Sequence, residues 1–314
     1  IHYLVKQYPK ISIVMTNNNP TSNRAIVKPG KPPVELNLSG FLYEAMDTSE
    51  FMNVDGWKPV FDEIPVDPYI KEGYRFKSIA WFRIKHEAAD AIEGIDERIK
   101  AVNELSGISA EQSNRYLSTG KSEWHSDETG YSCWHLPQYA MQQSALYNPV
   151  HGDMRREYPP IGETITNSSD FRNLLLKYAI SFGWRDAIVL VQFQRVDCNT
   201  SRAGLPAVEG FHQDGNRHVG MLVVNRNNVA AGSGVSQYVM DDNGKKTDEL
   251  IFDAVVPAGQ LIFWNDKRVW HYGTEIKVAD ANANGGRGTR DIIIMSAKIP
   301  PANMPMGPVP EKFM

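Results

Sequence analysis

The second half of the chain alternates between short apolar runs and turn residues. Apolar and β-branched residues concentrate in short segments, each of which predicts a strand. The segments are 187–196, 218–225, 235–240, 252–256, 261–264, 269–272 and 291–298. The stretch Asp241-Asp-Asn-Gly244 contains the Asn-Gly pair that is typical of a tight hairpin turn. Short strands with Gly, Asn and Asp between them predict a β sandwich or barrel.

The first half of the chain is less regular. Residues 74–84 have the pattern of a strand that enters a core. Residues 86–105, rich in Ala, Glu, Ile and Lys, predict a helix. Ser168-Ser169-Asp170 predicts the cap of a second helix over residues 171–182, where apolar positions recur at helical spacing.

We therefore expect one domain over residues 1–314, with the first half packed on the outside of a β core. The expected parts are an N-terminal extension (1–56), a helical and irregular support (57–185) with a polar insertion near 106–130, the β core (186–300) and a tail (301–314).

Composition and charge exclude several classes of protein. Hydrophobic residues make up 42% and charged residues 22% of the 314 residues, as in globular proteins. The net charge of −4 argues against a nucleic-acid partner, and no apolar run reaches the roughly 18 residues of a membrane helix. Cys133 and Cys198 are too few for a disulfide framework or a zinc ribbon. We expect a cytoplasmic protein with a small-molecule partner, and the sequence leaves the oligomeric state open.

Two His-x-Asp triplets are candidate metal ligands. Residues i and i+2 of a strand point to the same side, so such a triplet presents an imidazole and a carboxylate together. The triplet of His212 and Asp214 lies between predicted strands, and His271 follows another. Two histidines and one carboxylate with open positions are the ligand set of non-haem Fe(II) oxygenases. The competing triplet, His125-Ser-Asp127, lies in the polar insertion with no predicted strand around it and is interpreted as a surface turn or helix cap.

Arg290 strengthens this interpretation, because it opens the last predicted strand after His271. A carboxylate held deep in a barrel needs a fixed bidentate cation, and the guanidinium group supplies one. Arg287, in a Gly-rich loop, is the competitor and is expected to be exposed to solvent.

Over residues 57–298 the sequence resembles the Fe(II)/2-oxoglutarate dioxygenases of the bacterial L-isoleucine and amino-acid hydroxylase type. Glu209-Gly-Phe-His-Gln-Asp-Gly215 is the most specific segment that carries this resemblance. The others are Ile64–Tyr69 with Arg75, Gln143–Asn148 with Arg155 or Arg156, Asn225–Val229, His271 and Arg290-Asp-Ile-Ile.

The resemblance implies a mainly β fold with flanking helices (α+β) around a double-stranded β-helix, or jelly roll. It implies that His212, Asp214 and His271 bind Fe(II), that Arg290 holds the C5 carboxylate of 2-oxoglutarate, and that O₂ is the oxidant. The implied reaction activates a C–H bond of a free amino acid or an amino-acid-derived small molecule. Hydroxylation is the expected outcome, and oxidative cyclisation or desaturation is the alternative.

Substrate contacts are expected in the segments that carry the resemblance. The candidates are Glu209, Gln194, Arg195, Arg226, Asn148 and Arg155. Gln194 and Arg195 are adjacent on a predicted strand, so one of them at most can face the interior. One segment departs from the family pattern, because Ala231-Gly-Ser-Gly234 lacks the acidic residue that relatives usually carry there.

Three other function classes compete with this interpretation. A non-catalytic cupin-like binding protein would share the architecture, but it would not need His212, Asp214, His271 and Arg290 together. An oxygenase acting on a macromolecule stays open for a protein substrate. A zinc hydrolase could use the same ligands but gives Arg290 no role.

Overall fold

A computed structural model describes residues 43–47, 54–86, 100, 109–111, 124–126, 130–182, 186–216 and 218–298. Within these ranges the chain forms eleven strands in two antiparallel sheets, with few helices. The strands are β1 (Tyr43–Asp47), β2 (Arg75–His86), β3 (Trp124–Ser126), β4 (Tyr131–Leu136), β5 (Asp186–Asn199), β6 (His218–Asn227), β7 (Ser236–Asp242), β8 (Lys245–Ala254), β9 (Gln260–Asn265), β10 (Val269–Gly273) and β11 (Arg287–Lys298). The helices are α1 (Glu163–Thr166), α2 (Ser169–Phe182) and the 3₁₀ helices Asp55–Asp62 and Asn284–Gly286.

The large sheet has the strand order β1-β9-β6-β11-β5-β2-β4-β3, and the small sheet has the order β10-β7-β8. Every strand pairing within both sheets is antiparallel. The many crossovers in the large sheet and the second, smaller sheet confirm the predicted mainly β, jelly-roll architecture.

Alternation along β5 divides its side chains between two environments. Val189, Val191 and Phe193 join the apolar cluster beneath the helices. Gln192 and Gln194 point to the opposite face and line a cavity. Because side chains of a strand alternate with a period of two, one strand supplies both the core and the cavity wall.

Helix α2 covers the outer face of the large sheet. Phe171, Leu174, Leu175 and Tyr178 are fully buried at helical spacing. The predicted cap is confirmed, since the Phe171 N–H donates to Ser168 Oγ at 3.2 Å. The Tyr178 hydroxyl donates to the His218 carbonyl at 2.8 Å and accepts from the Ala297 N–H at 3.0 Å, which fixes the helix to the sheet.

The predicted hairpin turn is also confirmed. Asp242 and Lys245 pair across it, so the loop is the dipeptide Asn243-Gly244. Both residues have positive φ, 53° and 83°, as a type I′ turn requires.

Three expectations for the first half need correction or stay open. His125 lies in β3, which pairs with β4, so the expectation that no strand surrounds the first His-x-Asp triplet is wrong. Strand β1, inside the predicted extension, pairs with β9 of the core. The predicted helix over 86–105 and most of the 106–130 insertion lie outside the described residues, except that His86 ends β2. The remaining domain boundaries stay predictions.

Within the ranges that the structure describes, no helix combines the length and the apolar character needed to cross a membrane.

We predict that Gly220→Ala destabilises the fold. A Cβ at this position in β6 would lie 2.8 Å from Phe263 Cδ1 and 3.1 Å from Met295 Cε, inside the core between three strands. Overpacking of this kind costs about 1–3 kcal/mol. Urea unfolding measures the loss, with Gly232→Ala as the matched control, because a Cβ there meets nothing within 4 Å. Equal stabilities for the two variants would contradict the packing described here.

Candidate metal centre and substrate cavity

A two-residue backbone bridge brings the two candidate histidine ligands together. The His212 N–H donates to the His271 carbonyl at 3.0 Å, and the His271 N–H donates to the His212 carbonyl at 2.9 Å. This antiparallel bridge joins the loop after β5 to β10. The two imidazole centroids lie 4.2 Å apart as a result.

Asp214 completes the group. Its Oδ1 lies 3.9 Å from His212 Nε2, and its Oδ2 lies 3.7 Å from His271 Nε2. One ligand atom from each of the three residues falls within 4.8 Å of the others. The sequence prediction that His212, Asp214 and His271 meet at one point agrees with this geometry.

Hydrogen bonding and burial keep both imidazoles suited to metal binding. His212 Nδ1 is 2.9 Å from the Gly210 carbonyl, which fixes the proton on Nδ1 and leaves the lone pair of Nε2 free. Burial first, and the neighbouring His212 second, lower the pKa of His271 well below its ordinary value. His271 therefore stays neutral at physiological pH, as a ligand must.

A second carboxylate lies behind His271. Asp266 Oδ1 is 3.6 Å from His271 Nδ1, and Asp266 is completely buried. Its Oδ2 accepts from the Asn216 N–H at 3.1 Å. Burial, followed by the charge of Asp214, raises the pKa of Asp266 well above its ordinary value. At 3.6 Å the two groups are close but not hydrogen-bonded, and His271 Nδ1 has no hydrogen-bond partner among the described residues.

The cavity beside this group has a volume of about 800 Å³ including its solvent-filled mouth. Both sheets contribute side chains to it. The large sheet supplies Arg75, Lys77, Gln192, Gln194, Met221, Trp264, Arg290, Ile292 and Ile294, and the small sheet supplies Ser236, Tyr238, His271, Tyr272 and Gly273.

Arg290 is the buried cation at one end of the cavity. It is 3% exposed, its Nε has no hydrogen-bond partner among the residues that the structure describes, and one terminal nitrogen contacts Met221 Sδ at 3.5 Å. Burial first, and Arg226 second, lower its pKa to about 10, so it remains charged at neutral pH. Arg287 instead pairs with Asp197 at 3.1 Å and is half-exposed, as predicted for the competitor.

Arg226 is the neighbour of Arg290 on the adjacent strand β6. It donates to the Ser233 carbonyl at 2.6 Å. Arg226 is not among the described residues that line the cavity, which argues against direct contact with a substrate.

Asn148 and Glu209 lie at the other side of the cavity and are linked to Asp214. Gln143 Nε2 donates to Asp214 Oδ1 at 3.2 Å, and Gln143 Oε1 accepts from Asn148 Nδ2 at 3.1 Å. Asn148 Nδ2 also donates to Glu209 Oε1 at 3.2 Å. Burial would raise the pKa of Glu209, but His212, a backbone hydrogen bond and the charge of Arg75 lower it overall. Glu209 is therefore a buried anion that faces the cavity.

Of the adjacent pair Gln194 and Arg195, the structure brings Gln194 to the cavity and turns Arg195 away. Arg195 Nε and Nη2 donate to the two oxygens of buried Asp291 at 2.6 and 2.9 Å, and Nη1 donates to Asp62 at 2.5 Å. The proposed substrate contact of Arg195 is thus corrected, because strand alternation commits it to the helix-covered face.

The prediction that Arg155 contacts the substrate is corrected in the same way. Its side chain is 53% exposed and pairs with Glu157 at 2.8 Å. The next residue, Arg156, is 2% exposed, lines the cavity, and donates to Gln143 Oε1 at 2.5 Å. The arginine that belongs to the site is therefore Arg156.

Sequence reasoning also missed Lys77 and Gln192 as cavity residues. The available signal was the pair Arg75 and Lys77, two charged residues spaced by two in a strand that is otherwise mostly apolar. Equal spacing on a buried strand directs both side chains to one face.

The family comparison decides the class of protein. A model of the 2OG-Fe dioxygenase family, where 2OG is 2-oxoglutarate, matches residues 108–296. The chain belongs to the 2OG-Fe dioxygenase family. This dioxygenase therefore uses Fe(II), 2-oxoglutarate and O₂, and the assignment favours an enzyme over the cupin-like binding protein.

Three solved structures are similar to this chain, and the first of them supports the fold. A bsmA homolog from Methylobium petroleophilum PM1 aligns with a TM-score of 0.57 at 16% identity, over 83% of this chain and 89% of that one. IDO from Bacillus thuringiensis aligns with a TM-score of 0.45 at 13% identity, over 82% and 90% of the two chains. The Fe(II)/(alpha)ketoglutarate-dependent dioxygenase TqaL aligns with a TM-score of 0.49 at 12% identity, over 86% and 88%. The comparison with curated protein sequences gave no match.

We predict that substitution of Arg195 lowers stability, whereas substitution of its neighbour Gln194 on β5 lowers turnover. Arg195→Met leaves the Asp291 carboxylate buried with Asn225 Nδ2 at 3.3 Å as its remaining donor. Removal of one partner from a buried ion pair costs about 3 kcal/mol or more. Gln194→Leu keeps a similar volume and removes no hydrogen bond within the described residues, so stability should change by less than about 0.5 kcal/mol.

Chemical denaturation of both variants, together with substrate-dependent turnover, tests this difference. Gln194→Leu should reduce turnover while it unfolds like wild type. If Arg195→Met is stable but binds substrate poorly, Arg195 contacts the substrate after all.

Proposed function

We propose that this dioxygenase hydroxylates a C–H bond of a free amino acid or an amino-acid-derived small molecule. The observation that carries the proposal is one cavity lined by the His212, Asp214 and His271 group, by buried Arg290 and by the buried anion Glu209. Groups suited to a metal, to an anionic cosubstrate and to an ammonium ion thus line one cavity.

The three-residue group fits Fe(II). Two neutral imidazole nitrogens and one carboxylate are the ligands that non-haem iron takes when it keeps open positions. The polar contact between Gln143 and Asp214 holds one carboxylate oxygen, and the Gly210 carbonyl orients His212. In the proposed function, iron with 2-oxoglutarate and O₂ supplies the oxidising power that no side chain of this protein has.

Arg290 fits the distal carboxylate of 2-oxoglutarate. Its unpartnered Nε and its planar fork can donate two parallel hydrogen bonds to a carboxylate. Met221, Ile292 and Ile294 line the same wall and exclude water, which strengthens such a bond.

Glu209 fits the ammonium group of an amino acid. It is ionised, buried, and held by Asn148 at 3.2 Å, so an incoming ammonium would neutralise it. The chain of hydrogen bonds from Glu209 through Asn148 and Gln143 to Asp214 fixes this anion relative to the metal group. Such a fixed spacing would select which carbon of the substrate faces the iron.

We predict that His212→Ala abolishes substrate-stimulated succinate formation from 2-oxoglutarate. The variant loses one of the three ligand atoms, and the remaining two hold iron weakly. The assay contains Fe(II), ascorbate and a panel of amino acids, and mass spectrometry of the product distinguishes gain of one oxygen atom from loss of two hydrogens. Hydroxylation predicts the gain, and cyclisation or desaturation predicts the loss. Full activity of His212→Ala would contradict the proposed site.

Arg290→Met should raise the KM for 2-oxoglutarate by about tenfold or more, because a charge-assisted bidentate pair is lost. Arg287→Met is the matched control, since Arg287 pairs with Asp197 outside the cavity. Succinate formation at varied 2-oxoglutarate measures both. The assignment of Arg290 would be contradicted if the KM rose equally in both variants or rose in neither.

A further inference from the structure

Two buried cations face the substrate side of the cavity without a carboxylate partner. Lys77 Nζ lies 3.8 Å from Met141 Sδ and 4.8 Å from the ring centre of Tyr158, and these are its contacts within the described residues. Arg156 donates from Nη2 to Gln143, and its Nε has no hydrogen-bond partner in the described ranges. Both residues are nine-tenths or more buried and line the cavity.

The other two cationic residues of the cavity wall are already accounted for. Arg75 donates from Nε to buried Asp67 at 2.7 Å. Arg290 lies on β11, which β5 separates from the strand of Lys77, and is assigned to 2-oxoglutarate in the proposed function. Within the described part of the chain, Lys77 and Arg156 therefore remain as buried basic side chains with no ion pair and no assigned ligand.

A buried, unpaired ammonium group does not stabilise a fold. Burial first, then Arg75 and Arg156, lower the pKa of Lys77 to about 7. A lysine buried at such a cost favours a role in binding, because an apolar side chain of similar length would fill the same space without the cost. Gln194, which is the cross-strand neighbour of Lys77 on β5, adds an amide that also faces the cavity.

The charges of the cavity wall indicate which kind of ligand Lys77 and Arg156 bind. Among the described residues that line the cavity, the carboxylates are Asp214, which belongs to the metal group, and Glu209. A neutral amino acid would neutralise Glu209 with its ammonium group and one cation with its carboxylate. It would leave the second cation buried and unpaired.

We propose that Lys77 and Arg156 form a second anion-binding subsite and that the substrate is an amino acid with two carboxylates. This inference rests on the proposed function, and it narrows the substrate class from amino acids to dicarboxylic amino acids. One carboxylate pairs with Arg156, beside Gln143. The other pairs with Lys77, beside Gln194.

The test compares ligands that differ in charge but not in shape. Aspartate, glutamate and 2-aminoadipate are each matched with the amide of the side-chain carboxylate, which is isosteric and neutral. Affinities are measured by calorimetry without oxygen, on the enzyme loaded with Fe(II) and 2-oxoglutarate. Wild type should bind at least one acid about tenfold or more tightly than its amide, as expected for a charge-assisted hydrogen bond.

Lys77→Met should remove most of this preference and leave the affinity for the amide nearly unchanged. Arg155→Met is the matched control, because Arg155 is exposed, pairs with Glu157 and lies next to Arg156 in sequence. It should keep the preference of wild type. If Lys77→Met does not fold, Lys77→Gln serves for the same measurement.

Proton uptake gives a second readout that a purely structural role would not change. Arg75, Arg156, Asp67, Asp214 and Tyr158 surround Lys77, and a bound carboxylate would favour its charged form. Above pH 7, binding of the acid by wild type should therefore take up a proton, and binding by Lys77→Met should take up less. Calorimetry in buffers of different ionisation enthalpy measures the difference.

The stability of the unliganded protein should follow the same charge. Lys77 titrates at about 7 when folded and near 10.5 when unfolded, so the unfolded state binds more protons between these values. The stability contributed by this group rises with pH across that window. Lys77→Met should melt above wild type at pH 6, and the gap should shrink as the pH rises towards 10.

The inference is overturned if every amide binds as tightly as its acid, if Lys77→Met keeps the preference, or if no dicarboxylic amino acid binds. Failure of the proposed function is separately visible. In that case no amino acid, neutral or dicarboxylic, would bind to the enzyme loaded with Fe(II) and 2-oxoglutarate, whereas binding of neutral but not of dicarboxylic amino acids would overturn the inference alone.

Discussion

The site depends on the pair of backbone hydrogen bonds between His212 and His271. Each residue donates to the carbonyl of the other, at 3.0 and 2.9 Å, and this bridge holds a loop against the small sheet. Paired backbone groups fix the directions of the two side chains, so both imidazoles face Asp214. A metal site made from a loop and a strand would otherwise lose the spacing that its ligands need.

The alternation of side chains in the large sheet supplies the rest of the site. Strand β5 places Val191 and Phe193 under the helices and Gln192 and Gln194 in the cavity. The neighbouring strand β2 adds Arg75 and Lys77 to the same wall. This arrangement buries several charges, which lowers stability, and the apolar face beneath α2 offsets that cost. The polar wall is therefore a feature of binding, supported by a fold whose stability comes from the other face.

The sequence predicted the parts of this structure that local patterns determine. The Asn243-Gly244 turn requires positive φ, and the Ser168 cap satisfies a free N–H. The triplet His212-x-Asp214 does bring an imidazole and a carboxylate together, although it lies in the loop after β5 and not in a strand. Arg195 and Arg155 were misassigned because the choice between adjacent residues depends on strand register and loop path, which follow from long-range packing. Strand β1 was missed because its five residues are specified mainly by pairing with β9. Lys77 was missed because a sequence does not show whether a charged residue in a strand forms an ion pair or lines a cavity.

The central claim is that His212, Asp214 and His271 hold one iron ion. Anaerobic titration of the purified protein with Fe(II), in the presence of 2-oxoglutarate, tests it most directly for wild type and for Asp214→Ala. The account predicts one tightly bound Fe(II) per chain in wild type and loss of tight binding in Asp214→Ala, with the variant still folded by circular dichroism. Equal iron affinity in the two proteins would contradict it.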